Sequence, residues 1–202
     1  MDTTDSFYTI KTVSEIENKI KGSRFIGQAY PCRDEFEAAD ILGRIKKKYF
    51  DATHNCFAWR VGFGHDTKFK YSDDGEPSGT AGRPIYDRIE GNGLTNTMVI
   101  VTRYFGGTKL GTGGLTHAYS EAAAATIEKA GVIEKYITGQ LTMMIPFPDY
   151  NIVERALHQA GAGILESDFS DIVRLTVEIR RSLVEQIRER LIDLTSGRIR
   201  IE

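Results

Sequence analysis

The sequence predicts an α+β protein in two parts, about 136 residues followed by about 66. Strand-like and helix-like hydrophobic patterns interleave along the whole chain. After residue 137 they follow the order β-α-β-β-α-β. The chain has 202 residues, 41% of them hydrophobic and 10% aromatic, which is enough for a packed core and excludes global disorder. There is no internal repeat and no low-complexity tract.

Phe7 to Tyr30 is rich in Ile, Val, Phe and Tyr and reads as two strands meeting near Lys21-Gly22-Ser23. From Asp34 to Tyr49, Phe36, Ala39, Leu42 and Ile45 recur at spacings of three among charged residues, an amphipathic helix starting near Arg33 or Asp34. Lys46, Lys47 and Lys48 fall at its C-terminal end, where cations suit the helix dipole. Asn55 to Val61 is a strand, and Phe69 to Tyr71 another. Pro84 to Glu90 is a helix, Thr97 to Tyr104 a buried-type strand, and Phe105 to Gly114 a glycine-rich loop. Leu115 to Ala130 is a strong helix with Gly131 as its C-cap.

A boundary follows at Glu134 to Gly139, dividing the chain into domains 1–136 and 137–202. Beyond it come a strand (Leu141 to Ile145), a helix (Tyr150 to Ala160), a strand (Ile164 to Ser167), an alternating half-exposed strand (Val173 to Arg180), a helix (Leu183 to Leu194) and a short strand at Ile199 and Ile201. This is the order of a ferredoxin-like domain.

The charge is balanced, 26 Lys+Arg against 28 Asp+Glu, so any nucleic-acid site is a local patch and not a chain-wide basic surface. Cys32 and Cys56 make no disulfide framework, and four histidines lack metal-ligand spacing. No secretory signal and no membrane-length apolar run is present, so a soluble cytoplasmic protein is expected, with no cofactor and no membrane partner.

Two loops are the candidates for chemistry. In Arg103-Tyr104-Phe105-Gly106-Gly107-Thr108-Lys109-Leu110-Gly111-Thr112-Gly113-Gly114-Leu115, glycines join a strand to a helix. They allow close backbone approach, and the helix start offers free N–H groups; Arg103, Lys109 and His117 would add charge to an anion site. Neither the P-loop nor the dinucleotide fingerprint is matched. A tight turn packed against another segment, with His117 on the helix surface, is the competing reading. The second loop, Asp73-Asp74-Gly75-Glu76, would bind a divalent cation or do acid/base work; a solvated turn, a helix cap or a pair with Arg83 or Arg103 is the alternative. His54 and Cys56 would form a Cys–His pair or serve as core or edge residues. Trp59 and Tyr71 would stack on bases or belong to the core.

The stretch Tyr71-Ser72-Asp73-Asp74-Gly75-Glu76-Pro77-Ser78-Gly79-Thr80-Ala81-Gly82-Arg83-Pro84 resembles the first signature of the YigZ/IMPACT family. Val99 to Leu115 resembles the second, and His54-Asn55-Cys56-Phe57-Ala58 also fits. The resemblance implies an N-terminal domain with the fold of the second domain of a small-subunit ribosomal protein, followed by a ferredoxin-like domain similar to one in elongation factor G. Eukaryotic members bind a large ribosome-associated activator of an amino-acid-starvation kinase and so relieve inhibition of translation initiation, using an added N-terminal domain that this chain lacks. The implied function is non-catalytic: binding an anion or nucleic acid, linked to translation regulation or the ribosome, with RNA, the ribosome or translation factors as partners. The alternative is an enzyme on a phosphorylated small molecule or nucleotide. There the site would join Arg103, Gly106, Gly107, Lys109, Gly111, Gly113, Gly114 and His117 as anion binders to Asp73, Asp74 or Glu76 as catalytic acids. An interaction module using the ferredoxin-like sheet is a third option.

Overall fold

The computed structural model describes residues 5–202. The chain forms two compact units, Phe7–Lys135 and Tyr136–Glu202, the latter joined by Asp5 and Ser6.

In the first unit, β1 (Ser6–Ile10) pairs with β7 (Val132–Tyr136) in a two-stranded sheet. The main sheet holds β2 (Ser14–Ile20), β3 (Ser23–Pro31), β4 (His54–Val61), β5 (Lys68–Ser72) and β6 (Thr97–Tyr104). Its order is β2-β3-β6-β4-β5, with every pair antiparallel. The sequence pattern over Phe7 to Tyr30 suggested two strands; there are three, because the chain leaves the β1–β7 ribbon at Lys11–Val13 and re-enters at the edge of the main sheet. Lys21 and Gly22 both take the left-handed backbone (φ 47° and 83°), which matches the twist of a two-residue hairpin between β2 and β3.

Helices cover both faces. α1 (Glu35–Lys48) packs on one, where Ala38, Ile41 and Ile45 meet Phe57, Trp59, Met98 and Ile100. The Asp34 carboxylate caps α1 by accepting from the backbone N–H of Phe36 and Glu37, at 3.0 and 2.8 Å. α2 (Gly82–Gly91) and α3 (Gly111–Ala130) cover the other face, against Phe25, Cys56, Ala58, Val99 and Val101. β6 is central and sandwiched, which explains its unbroken apolar run: Met98 and Ile100 face α1, Val99 and Val101 face α2 and α3.

α3 lies very close to the sheet. Its inner face is built from Ala118, Ala122 and Ala123, and a Cβ on Gly27 of β3 would stand 2.1 Å from Thr126 Oγ1. The helix begins at Gly111, one turn before the Leu115 start that the apolar pattern suggested. Helical Gly lowers intrinsic stability by about 1 kcal/mol per residue, so this first turn exists because the packed remainder of the helix carries it.

The second unit is β8 (Thr138–Ile145), α4 (Tyr150–Gln159), β9 (Gly163–Phe169), β10 (Val173–Arg180), α5 (Val184–Leu194) and β11 (Arg200–Ile201). The antiparallel order β11-β8-β10-β9 is the ferredoxin-like arrangement. Val173, Leu175, Val177 and Ile179 alternate into a core with Leu157, Ile187 and Leu191. Asp149 accepts two hydrogen bonds from Arg198, at 2.8 and 2.6 Å, tying the start of α4 to the segment between α5 and β11. The Arg198 guanidinium holds the Asp149 carboxyl below the usual range.

Replacing Gly27 with Ala should force α3 off the sheet and lower stability by about 1–3 kcal/mol, an overpacking penalty read from urea denaturation. Asp34→Ala should lower stability by about 1 kcal/mol in the same measurement, through loss of the cap.

Candidate functional site

The loop Ser72–Ala81, between β5 and α2, crosses one end of the main sheet, and each of its acids has a distinct task. Asp73 accepts from Gly79 N (2.9 Å), Ala81 N (3.0 Å) and Gly82 N (2.8 Å). It therefore caps α2, whose N-cap residue Ala81 has no side-chain oxygen. Gly82 is required here: a Cβ would come within 2.7 Å of the Ser72 backbone. Asp74 accepts from Lys46 Nζ and from Asn55 N, both at 2.7 Å. Its carbonyl oxygen lies 2.8 Å from His54 Nδ1, so that nitrogen carries the proton and Nε2 faces the interior of the loop.

Glu76 is buried. Its Oε1 accepts from Arg103 Nη1 (2.6 Å) and from the Tyr119 hydroxyl (2.8 Å), and His54 Nε2 stands 3.8 Å away. Arg103, itself 5% exposed, donates a second bond to Ser23 Oγ (3.3 Å). Its guanidinium lies 5.4 Å from the Phe25 ring and 5.5 Å from the Phe105 ring, and its Nε has no partner among the described residues. Burial pushes the Tyr119 phenol up, so it stays protonated and donates to Glu76. Burial likewise pushes the Cys56 thiol up to about 12, and Cys56 Sγ donates to the Asp73 carbonyl at 3.0 Å.

The glycine loop rests on this pair. Ser23 Oγ, which accepts from Arg103, also accepts from Gly106 N at 3.1 Å. A Cβ on Gly106 would fall 1.9 Å from the Gly22 carbonyl carbon, so the loop touches the β2–β3 hairpin backbone to backbone. Gly107 and Gly111 adopt the left-handed region, with φ of 86° and 74°. Beyond them α3 begins without a side-chain cap at Leu110, and Thr112 and Gly113 are exposed.

The structure thus joins Glu76 to Arg103, holds Gly106 to the pair through Ser23, and leaves the remaining sequence candidates apart. Asp73 faces the start of α2, and Asp74 faces α1. Lys109 is exposed, Gly114 abuts the Leu110 side chain, and His117 pairs with Glu121 (3.1 Å) on the outer face of α3. Ser23 and Tyr119 escaped the sequence reading: a lone serine in a hairpin and a tyrosine on the inner face of a helix carry no motif. Among the described residues no group of three or more His, Cys, Asp or Glu side chains is placed to hold a metal ion, and no helix is long and apolar enough to cross a membrane.

A family profile described as the Impact N-terminal domain matches residues 21–127. The chain belongs to the IMPACT family. A second profile, a domain of unknown function (DUF1949), matches residues 144–198. The IMPACT family member YvyE of Bacillus subtilis is 34% identical over 96% of this chain and 88% of its own. The IMPACT family member YigZ of Escherichia coli is 30% identical over 92% of each. A crystal structure described as that of a hypothetical protein aligns with 98% of this chain and 97% of its own, at 29% identity and a TM-score of 0.73. In IMPACT terms, the acidic loop and the glycine loop both lie inside the matched N-terminal domain.

Glu76→Gln keeps the size of the side chain and removes the charge facing Arg103. Breaking such a buried pair should cost about 3–5 kcal/mol in urea unfolding. Cys56 and Cys32, both pushed up to about 12 by burial, should react with a thiol reagent at pH 8 orders of magnitude more slowly in the native protein than in denaturant.

Proposed function

We propose that this IMPACT family member is a non-catalytic binding protein of the translation apparatus, cytoplasmic, meeting the phosphates of RNA along its glycine loop and the open start of α3. The observation that supports this best is how the acids are engaged. Asp73 caps a helix, Asp74 holds Lys46 and Asn55, and the Glu76 carboxylate is filled by Arg103 and Tyr119. The acidic loop is thereby a brace for the glycine loop. What reaches solvent is Lys109, the uncapped start of α3 at Gly111, Thr112 and Gly113, and His117 one turn on. Arg103 supports the loop from beneath, Gly106 packs on the β2–β3 hairpin and Gly107 turns the backbone at the surface. The translation link rests on the likeness of both signature loops to a family whose eukaryotic members bind a ribosome-associated activator.

A second reading, an enzyme on a phosphorylated small molecule, draws on the approach of His54 Nε2 to Glu76. Turnover of a nucleotide or sugar phosphate that is lost with His54→Ala would favour it.

Acidic residues at a helix start leave the helix dipole satisfied, so Lys109→Glu with Thr112→Glu should fold normally. That variant should co-sediment with ribosomes at low salt about tenfold less than the wild type, and its binding should fall less steeply with salt. Absence of any wild-type association at low salt would overturn the proposal.

A further inference from the structure

β5 is a free edge strand, paired with β4 alone, and its sequence alternates Lys68-Phe69-Lys70-Tyr71. Phe69 is 53% exposed and Tyr71 38%. Their rings are 11° from parallel with centroids 6.4 Å apart. Both rest on the buried Tyr86 of α2, at 4.8 and 5.8 Å. Isolated surface aromatics are ordinary; two rings set side by side on a third, with their outer parts in water, form a built platform.

Cations close both ends of this ridge. Arg60, directly across the sheet from Phe69, sends Nη1 to the Leu94 carbonyl (3.1 Å), and its buried Nε has no partner among the described residues. Arg83 lies 5.7 Å from the Tyr86 ring, and its charge is favoured first by Asp87 and then by the Tyr71 hydroxyl. On the opposite face of the same strand, Lys68 pairs with Glu35, and Lys70 is exposed. Trp59, the other aromatic that the sequence offered for base stacking, is buried under α1.

We infer that the Phe69–Tyr71 ridge is a stacking platform for two unpaired nucleotides of single-stranded RNA. Residues two apart on a strand are separated by about 6.6 Å, close to the advance of one splayed-out nucleotide. Exposed aromatics at that spacing on a sheet are the arrangement by which single strands are stacked and read. Arg83, which is exposed, would meet a flanking phosphate. Asp87 and Glu90 on the same helix hold the net charge low, so stacking dominates and the salt dependence is shallow. The choice of RNA over DNA rests on the translation reading above; the platform itself does not, and it lies apart from the glycine loop.

The test is fluorescence anisotropy with a labelled single-stranded RNA of about ten nucleotides, with matched DNA and duplex RNA as further arms. The wild type should bind the single-stranded RNA best. Phe69→Ala with Tyr71→Ala, both at exposed positions, should weaken binding about tenfold or more. Phe69→Tyr with Tyr71→Phe should preserve it. Equal binding by the double alanine variant and the wild type overturns the platform. So does loss of binding only in the Lys109 and Thr112 variant, which would favour the glycine loop instead. Equal affinity for matched DNA overturns the RNA assignment. Wild-type ribosome association without oligonucleotide binding overturns the platform and leaves the translation reading standing. Loss, in the double alanine variant, of a co-sedimenting protein and not of RNA would assign the edge to a peptide strand and overturn the inference.

Discussion

Glu76 and Arg103 meet at 2.6 Å in the interior of the first domain, and the arrangement of both signature loops depends on that meeting. A charge in this position is tolerable only when paired and hydrogen-bonded. Glu76 has Arg103 and Tyr119; Arg103 has Glu76, Ser23 and two aromatic rings. Because Ser23 also holds Gly106, the pair sets the height of the glycine loop above the sheet. Each connection consumes a group that a looser structure would leave free for chemistry.

Around this pair the acidic loop gathers one end of the sheet. It reaches α1 through Lys46, β4 through Asn55, His54 and Cys56, α2 through Asp73, β6 through Arg103 and α3 through Tyr119. A run of three carboxylates among glycines thus has a mechanical explanation. The glycines at 75, 79 and 82 let the backbone turn tightly enough for each carboxylate to face a different element. In consequence the glycine loop is held against the β2–β3 hairpin from beneath, while Thr108, Lys109, Thr112 and Gly113 stay exposed above.

Much of the fold was legible in the sequence because the signals were local. The Asp34 cap, the Lys21-Gly22 turn, the sandwiched run of β6 and the alternation of β10 follow from the chemistry of a few adjacent residues. The separation of β1 from β2 was not legible, since it depends on β7, distant in the chain. The start of α3 was misjudged for a similar reason. Gly113 and Gly114 carry no helical preference, and only the packing of the residues that follow winds them into the first turn.

At the site the division is sharper. The sequence by itself determined that an acidic glycine-containing loop and a second glycine loop exist, and that Arg103 and Lys109 flank the latter. It left open whether the acids were solvated, metal-binding, catalytic or structural, because those fates differ in burial and not in composition. Tertiary structure decided among them by choosing partners: backbone N–H groups for Asp73, a lysine for Asp74, and a buried arginine and phenol for Glu76. It likewise sent Trp59 inward and left Tyr71 outside, although both lie on strands with similar patterns. Burial is a property of the assembled layers, and no local spacing encodes it.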